Sequence, residues 1–205
     1  MPETTAMQTT RPEPQVIDCP VDVRVPDRER DFSPFTAHVA GAPRDGGVIH
    51  GIVARPDRDR RVVVTEAVLD ETVGMVGDNW LARGSSSTPD GLAHPESQLT
   101  IMSTRVLAAI EPDESRWALA GDQLLVDFDL SLEHLPAGTH LLVGETELVI
   151  CEKPHTGCAK FSGRFGSDAL RWVNSPEGRD GRYRGVHARV VRGGTVRVGD
   201  TIRPA

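Results

Sequence analysis

Short alternating runs of apolar and polar residues predict that most of this chain forms β-strands. Residues 48–55 and 62–69 are rich in β-formers and flank a charged turn, which predicts a hairpin. A second hairpin is predicted around Gly144-Glu145, and two more strands around Gly193-Gly194. Residues 124–130 form a further strand. About seven short strands favour a mainly β fold, an antiparallel β-barrel with a few short helices.

Two stretches have the spacing of helices instead. Apolar residues recur every three or four positions between Gln98 and Ile110, which predicts an amphipathic helix that Pro112 ends. Ser167 is placed to cap a short helix that stops before Pro176. The small polar residues at 83–97 predict an exposed, lid-like loop. A Gly-Asp pair recurs near Asp78, Asp122 and Asp200, and each pair predicts a tight turn.

Length and composition indicate one domain in a reducing compartment. Of 205 residues, 1–15 are rich in Thr, Pro and Glu and are expected to be a mobile tail, and 16–205 one domain. Three cysteines without disulfide spacing predict a reducing environment. The chain shows neither a signal-peptide core nor the ~18 apolar residues of a membrane span. We therefore expect a cytoplasmic protein without a membrane partner.

The formal charge of −7 is distributed unevenly. Residues 151–205 contain 11 Lys or Arg and 5 Asp or Glu, a net charge of +6, so the rest of the chain has −13. This asymmetry suggests a local anion site, although solvated arginines on exposed strands would give the same pattern. Aromatic residues are only 4% of the chain, too few for a surface that stacks nucleic-acid bases.

The loop I-C-E-K-P-H-T-G-C-A-K-F-S-G-R-F-G, at 150–166, is the best candidate for chemistry. Gly157 permits an unusual backbone angle that would present the thiol of Cys158 at a sharp turn. The cations Lys160 and Arg164 would favour its thiolate, the reactive and metal-binding form. Cys151 alternates with Val149 and is expected in the core or as a second thiol. A small buried cysteine is the plain alternative for Cys158.

Other roles for this loop and the arginines after it stay open. Cys151, His155 and Cys158 have a spacing that suits zinc, but a structural site needs a fourth ligand that the chain does not offer. His155 could instead act as general base to a Cys158 nucleophile. Arginines that follow the thiol could hold an anionic cofactor tail, and these are Arg171, Arg182, Arg184 and Arg189. No P-loop, dinucleotide fingerprint or zinc-protease motif is present.

The run from Pro154 to Gly199 resembles the MOSC domain, named after the C-terminal domain of molybdenum-cofactor sulfurases. The motifs are P-H-T-G-C-A-K-F-S-G-R-F-G, A-L-R-W-V-N-S, R-G-V-H-A-R-V and G-T-V-R-V-G-D. Upstream, G-M-V-G-D-N-W, H-P-E-S-Q-L-T-I-M and L-A-G-D-Q-L resemble parts of the stand-alone bacterial members. The resemblance implies a β-barrel-like fold in which Cys158 carries sulfur or binds molybdenum. Lys160 and Arg164 would then contact the pterin phosphate or the transferred sulfur.

The resemblance leads to a functional prediction with two alternatives. We expect a protein that binds molybdenum cofactor, or that carries sulfur as a sulfurtransferase does, with a sulfur donor or acceptor protein as partner. Pyridoxal phosphate is not expected, because its chemistry belongs to the aminotransferase-like domain of the fused sulfurases. The alternatives are a non-catalytic binding module with a structural Cys158, and a hydrolase that uses Cys158 and His155.

Overall fold

The computed structural model describes residues 14–18, 25 and 28–205, and β-strands dominate it. The predicted tail lies outside the described residues except for its last two, and Cys19 lies outside them as well. The strands are β1 (Gln15–Asp18), β2 (Gly47–Ala54), β3 (Arg60–Val64), β4 (Glu66–Asp70), β5 (Gly74–Met75), β6 (Leu99–Ser103), β7 (Leu124–Asp127), β8 (His140–Val143), β9 (Thr146–Ile150), β10 (Val186–Arg192), β11 (Gly194–Arg197) and β12 (Thr201–Pro204).

Seven of these strands close into a barrel. The order is β2-β12-β8-β9-β10-β6-β7, and β7 pairs again with β2. Every neighbouring pair is antiparallel except β6 and β7, which are parallel. Strands β3 and β1 continue the sheet beyond β2, and β11, β4 and β5 form a separate small sheet. The expected mainly β fold with a β-barrel is confirmed.

The barrel interior is filled by aliphatic side chains from every one of its strands. In β10, Val186, Ala188 and Val190 are buried in the main core cluster, and the intervening Arg189 is exposed. The opposing residues Ile101 and Ile150 belong to the same cluster. This period of two is what the sequence pattern predicted, because successive side chains of a strand point to opposite faces.

Short helices cover part of the outer wall of the barrel. They are α1 (Thr36–Ala40), α2 (Trp80–Arg83), α3 (Thr104–Ile110), α4 (Ala159–Phe165), α5 (Ser167–Val173) and α6 (Pro176–Asp180). A second core cluster joins Phe161 and Phe165 of α4 and Val173 of α5 to Met102 and Leu125 on the outer face of the barrel strands. The sheet therefore buries apolar residues on both faces here.

That double burial explains why the predicted helix at 98–110 is only half right. Its first part is strand β6, in which all five residues are buried, and only α3 is helical. A strand buried on both faces loses its polar alternation, so its apolar residues imitate helical spacing. Likewise, Ser167 begins α5 without capping it, whereas the Ser175 hydroxyl accepts a 3.0 Å hydrogen bond from Gly178 N and caps α6.

The predicted strand pairs had mixed outcomes. The β2–β3 and β8–β9 hairpins are confirmed as antiparallel pairs. The stretch 62–69 is divided at Thr65 into β3 and β4, which belong to different sheets. The two strands predicted around Gly193-Gly194 are present as β10 and β11, although they do not pair with each other, because β11 pairs with β4. Twelve strands are present among the described residues, against about seven expected.

Candidate functional site

Cys158 occupies an exposed position at the start of α4. It is the N-cap residue of that helix, and its carbonyl accepts a 3.0 Å hydrogen bond from Ser162 N. The side chain is exposed, so the structural-cysteine alternative, which required a buried thiol, does not describe it. Among the described residues its thiol makes no hydrogen bond with His155, whose Nδ1 has no hydrogen-bond partner. A Cys–His nucleophile pair is therefore not formed.

Gly157 is required for packing rather than for an unusual backbone angle. Its φ is not among the positive values, contrary to our expectation. A Cβ at this position would lie 2.6 Å from Leu170 Cδ1 and 3.2 Å from Val173 Cγ2, both on α5. Gly157 N also donates a 2.9 Å hydrogen bond to Asn174 Oδ1. The glycine lets the loop before Cys158 lie directly against α5.

The two cations that follow the thiol bind a carboxylate from a distant part of the chain. Lys160 Nζ and Arg164 Nη2 lie 2.7 Å and 3.2 Å from Asp59 Oδ1. Arg164 also donates to the carbonyl of Leu119. The hydrogen bond from Lys160 is the main cause that lowers the pKa of Asp59. Any contact of these cations with a phosphate would have to compete with Asp59.

Arg184, predicted as an anion contact, is instead buried in an ion pair. Its Nη1 lies 2.6 Å from Asp122 Oδ2, and its Nη2 donates to the carbonyl of Ala120. The guanidinium lies 5.0 Å from the centre of the Phe161 ring, so the ion pair packs against α4. Asp122 is completely buried, and burial raises its pKa while Arg184 opposes that rise.

His155 and His187 form a tilted imidazole pair beside this ion pair. Their ring centroids are 4.5 Å apart, and His155 Nδ1 lies 3.5 Å from Asp122 Oδ1. Burial, then the nearby Arg184, lowers the pKa of His155 well below its ordinary value. Burial lowers the pKa of His187 to about 4. Both imidazoles are therefore neutral at pH 7.

Two cavities meet at these histidines, and we call them together the basic cleft. They share Lys153, His155 and His187 and have volumes of about 350 Å³ and 230 Å³. The larger lobe also contains Arg179, Arg182 and Cys151. The smaller lobe is lined by Arg55, Trp80, Arg83, Gly84, Ser85, His94, Ser97, Thr100 and the three shared residues. No carboxylate is among the described residues that line the smaller lobe, so this lobe suits an anion.

Two arginines of the smaller lobe were not singled out from the sequence. Arg55 is buried by a two-pronged contact with Asp78, at 2.8 and 3.0 Å. Arg83 makes no ion pair with the described residues, and burial, then Arg55, lowers its pKa. One signal was visible, because Asp78 and Asp122 both belong to the recurrent Gly-Asp pairs. We interpreted those pairs as turns, and two of the three aspartates hold buried arginines.

The predicted loop 83–97 forms the outer wall of the smaller lobe. Gly84, Ser85, His94 and Ser97 face the cavity, and Lys153 Nζ donates a 3.1 Å hydrogen bond to Ser87 Oγ. The loop is therefore fastened to the segment that precedes Cys158. Its description as an exposed loop is right for Leu92, which is 66% exposed, and incomplete for its inner side.

The remaining candidates lie apart from the cleft or are inert. Burial raises the pKa of the Cys151 thiol to about 11. Arg189 is exposed on the outer face of β10, and Arg171 contacts Ser167 on α5. Among the described residues no group of three His, Cys, Asp or Glu side chains is arranged to hold a metal ion, so the zinc hypothesis for Cys151, His155 and Cys158 is not supported.

Comparison with known proteins identifies the family. Residues 88–203 match the model of the MOSC domain, more than half of the chain. The chain belongs to the MOSC domain family. Its match includes the loop 150–166, α4 and most of the barrel, so the resemblance noted in the sequence is confirmed. MOSC domains are generally linked to molybdenum cofactor.

Solved structures agree with this MOSC assignment at the level of the fold. YuaD from Bacillus subtilis is 16% identical, with a TM-score of 0.50 over 78% of this chain and 96% of that one. YiiM from Geobacillus stearothermophilus is 12% identical, with a TM-score of 0.53 over 78% and 75%. No curated protein matches the chain. Among the described residues, no helix has the length and apolar character needed to cross a membrane.

The basic cleft fits a phosphate-bearing cofactor. Three cations, Arg55, Arg83 and Lys153, border the smaller lobe without a carboxylate among its described lining residues. Buried polar atoms without a hydrogen-bond partner include His155 Nδ1, in a side chain that borders both lobes, and Asp122 Oδ1 and Arg184 Nε of the ion pair behind that histidine. Cys158 lies two residues beyond Thr156, which lines the larger lobe. Cations suit a phosphate group and a soft thiol suits molybdenum, so the residues of this loop and cleft fit such a cofactor.

Proposed function

We propose that this MOSC protein binds molybdenum cofactor in the basic cleft, with Cys158 as the thiol that ligates the metal or carries sulfur for it. One observation carries the proposal. An exposed thiol lies at the end of the loop that lines the cleft, and the described residues that line the smaller lobe of this cleft include no carboxylate. We further propose that residues 16–205 act as one domain, of which the family match covers 88–203.

The cations of the smaller lobe are the proposed contacts for the phosphate. Arg83 and Lys153 form no ion pair with the described residues, so both can donate to an anion without losing one. Arg55 is held by Asp78, which fixes its guanidinium at the cavity wall. When bound, molybdenum cofactor would supply a redox-active metal. The protein would supply the anion contacts, the thiol and a partly closed pocket.

The sulfur-carrying role uses the same thiol. A donor persulfide would pass its outer sulfur to the Cys158 thiolate, which forms a new S–S bond as the donor leaves as a thiol, so no external oxidant is needed. Exposure at the start of α4 allows a donor or acceptor protein to reach Cys158. The buried Cys151, whose pKa is raised to about 11, cannot do this at neutral pH.

The proposal is tested by purifying the wild type, Cys158→Ala and Cys151→Ala from a host that makes molybdenum cofactor. Molybdenum and released pterin are measured per protein chain, and persulfide on cysteine is measured by mass spectrometry. We expect wild type and Cys151→Ala to retain the cofactor or the persulfide, and Cys158→Ala to lose at least about tenfold of it, since a metal–thiolate bond is a major part of such a site.

Equal molybdenum and pterin in wild type and Cys158→Ala, together with no persulfide on Cys158, would contradict the role of this thiol. The Cys151→Ala control separates loss of a particular thiol from a general effect of removing a cysteine near the cleft.

A further inference from the structure

The hydrogen bond of His187 determines which of its two ring nitrogens carries the proton. His187 Nδ1 lies 3.2 Å from the carbonyl oxygen of Lys153. A carbonyl can only accept, so Nδ1 must carry the proton and donate it. His187 is neutral at pH 7, since burial lowers its pKa to about 4. The ring then has one proton only, and Nε2 is left with a lone pair.

The carboxylate of Asp122 favours a proton on the nearer nitrogen of His155. His155 Nδ1 and Asp122 Oδ1 lie 3.5 Å apart, an electrostatic contact without a hydrogen bond, and neither atom has a hydrogen-bond partner. The other carboxylate oxygen lies 2.6 Å from Arg184, whose charge favours the ionised form of Asp122 against the burial that raises its pKa. A negative charge at this distance attracts the ring proton, which places it on His155 Nδ1. Nε2 of this neutral ring is therefore also unprotonated.

Both imidazole side chains border the two lobes of the basic cleft. His155 Nδ1 is buried, whereas neither Nε2 is among the buried polar atoms that lack a hydrogen-bond partner, so the Nε2 atoms lie on the open edges of the two rings. The rings are tilted against each other, with centroids 4.5 Å apart. The cleft thus places two hydrogen-bond acceptors among Arg55, Arg83 and Lys153, which only donate.

We propose that the basic cleft selects anions that also carry an O–H or N–H donor, such as hydrogen phosphate or a singly protonated phosphate ester, and rejects anions that have none. The cations attract the negative charge, and the two Nε2 lone pairs accept the ligand proton. A fully deprotonated anion of the same size would place its oxygens against those lone pairs. A ligand without a donor would leave the buried imidazole acceptors unpaired, and sites of this kind bind such a ligand much more weakly.

This inference concerns the same cleft as the proposed function, but it can be tested without molybdenum. Inorganic phosphate keeps at least one O–H at pH 7, whereas sulfate has none and nearly the same size. We expect calorimetric titration of the wild type to show phosphate binding at least about tenfold more tightly than sulfate, the effect of one charge-assisted hydrogen bond. Sulfate binding equal to or tighter than phosphate, or no binding of either anion, would overturn the proposal.

Variants locate the effect at the imidazoles. In His155→Asn the amide can still donate to Asp122, but the side chain is too short to present an acceptor to the cleft. We expect its preference for phosphate over sulfate to fall below about threefold. His140→Asn is the matched control, since His140 lies on β8 and pairs with Glu147 away from the cleft. Loss of the preference in both variants, or in neither, would contradict the assignment.

The tautomers can be observed directly, which keeps the proposal testable if a variant fails to fold. Long-range ¹H–¹⁵N spectra of the wild type distinguish protonated from unprotonated imidazole nitrogens, and the signals missing in His155→Asn assign His155. We expect the Nδ1–H form for His155 and His187 at pH 7. The Nε2–H form at His155 would mean that Asp122 donates the proton, and it would overturn the inference while leaving cofactor binding through Cys158 untouched.

Discussion

The interior of the barrel and the Asp122–Arg184 ion pair behind His155 of the basic cleft are about equally buried, but they are built from opposite chemistry. Inside the barrel, Ile101, Leu124 and Val126 are fully buried, with no polar group to satisfy. On the outer wall, Asp122 is completely buried and Arg184 is 7% exposed. Buried polar groups cost free energy unless they are paired, and an apolar substitute would pack as well. Stability alone therefore does not account for this buried ion pair.

Removing one partner of the buried ion pair is the largest expected effect. Asp122→Asn should lower the free energy of unfolding by about 3–5 kcal/mol, because Arg184 is left buried without a counter-charge. The double variant Asp122→Leu, Arg184→Met should recover most of that loss, since apolar residues often replace buried ion pairs at no cost. Denaturant unfolding measures both. A double variant as unstable as the single one would mean that the pair is structural, like the barrel interior.

The second prediction concerns pH. In the unfolded chain His187 takes up a proton near its ordinary pKa of 6.5, but in the folded protein only near 4. Stability is therefore complete above pH 6.5 and falls as the pH decreases toward 4, by about 3 kcal/mol from this residue. His155 shifts in the same direction. Unfolding measured between pH 7 and 4 should show this loss, and His187→Asn should reduce it. A flat profile would contradict the burial of neutral imidazoles.

The third prediction compares the two thiols in a Cys19→Ser background. Burial raises the pKa of Cys151 to about 11, so its thiolate is about a hundredfold scarcer than in an unperturbed cysteine. Iodoacetamide at pH 7.5 should alkylate Cys158 at least about a hundredfold faster, as measured by mass spectrometry of peptides over time. Equal rates would show that the thiol of Cys151 is as accessible and as reactive as that of Cys158, which would contradict the predicted difference between the buried and the exposed cysteine.

The same contrast shows what the sequence could predict. The period of two located the barrel strands, since a strand with one buried face alternates, and it failed at Leu99–Ser103, where both faces are buried. The motif around Cys158 is local, and the thiol is exposed at the start of α4. Pairings across the fold were not visible. Asp59 is 101 residues from Lys160, and no local pattern reports that this carboxylate occupies the cations that follow the thiol.

The cations of the basic cleft also could not be predicted from local sequence patterns. Arg83 lies on α2 and Lys153 follows β9, and only the closed barrel brings them to one cavity. The sequence placed the basic segment at 151–205, whereas the smaller lobe takes Arg55 and Arg83 from the acidic part of the chain. Net charge along the chain therefore did not indicate the two arginines that border the smaller lobe.

The central claim is that the basic cleft, rather than the cations on α4, holds the phosphate of molybdenum cofactor. The most direct measurement is the pterin content of two double variants with the same charge change, purified from a cofactor-producing host. One is Arg83→Gln, Lys153→Gln in the cleft, and the other is Lys160→Gln, Arg164→Gln beside Asp59. We predict that the first loses at least about tenfold of its pterin, while the second stays close to wild type. Loss of pterin in the second variant with retention in the first would contradict the account.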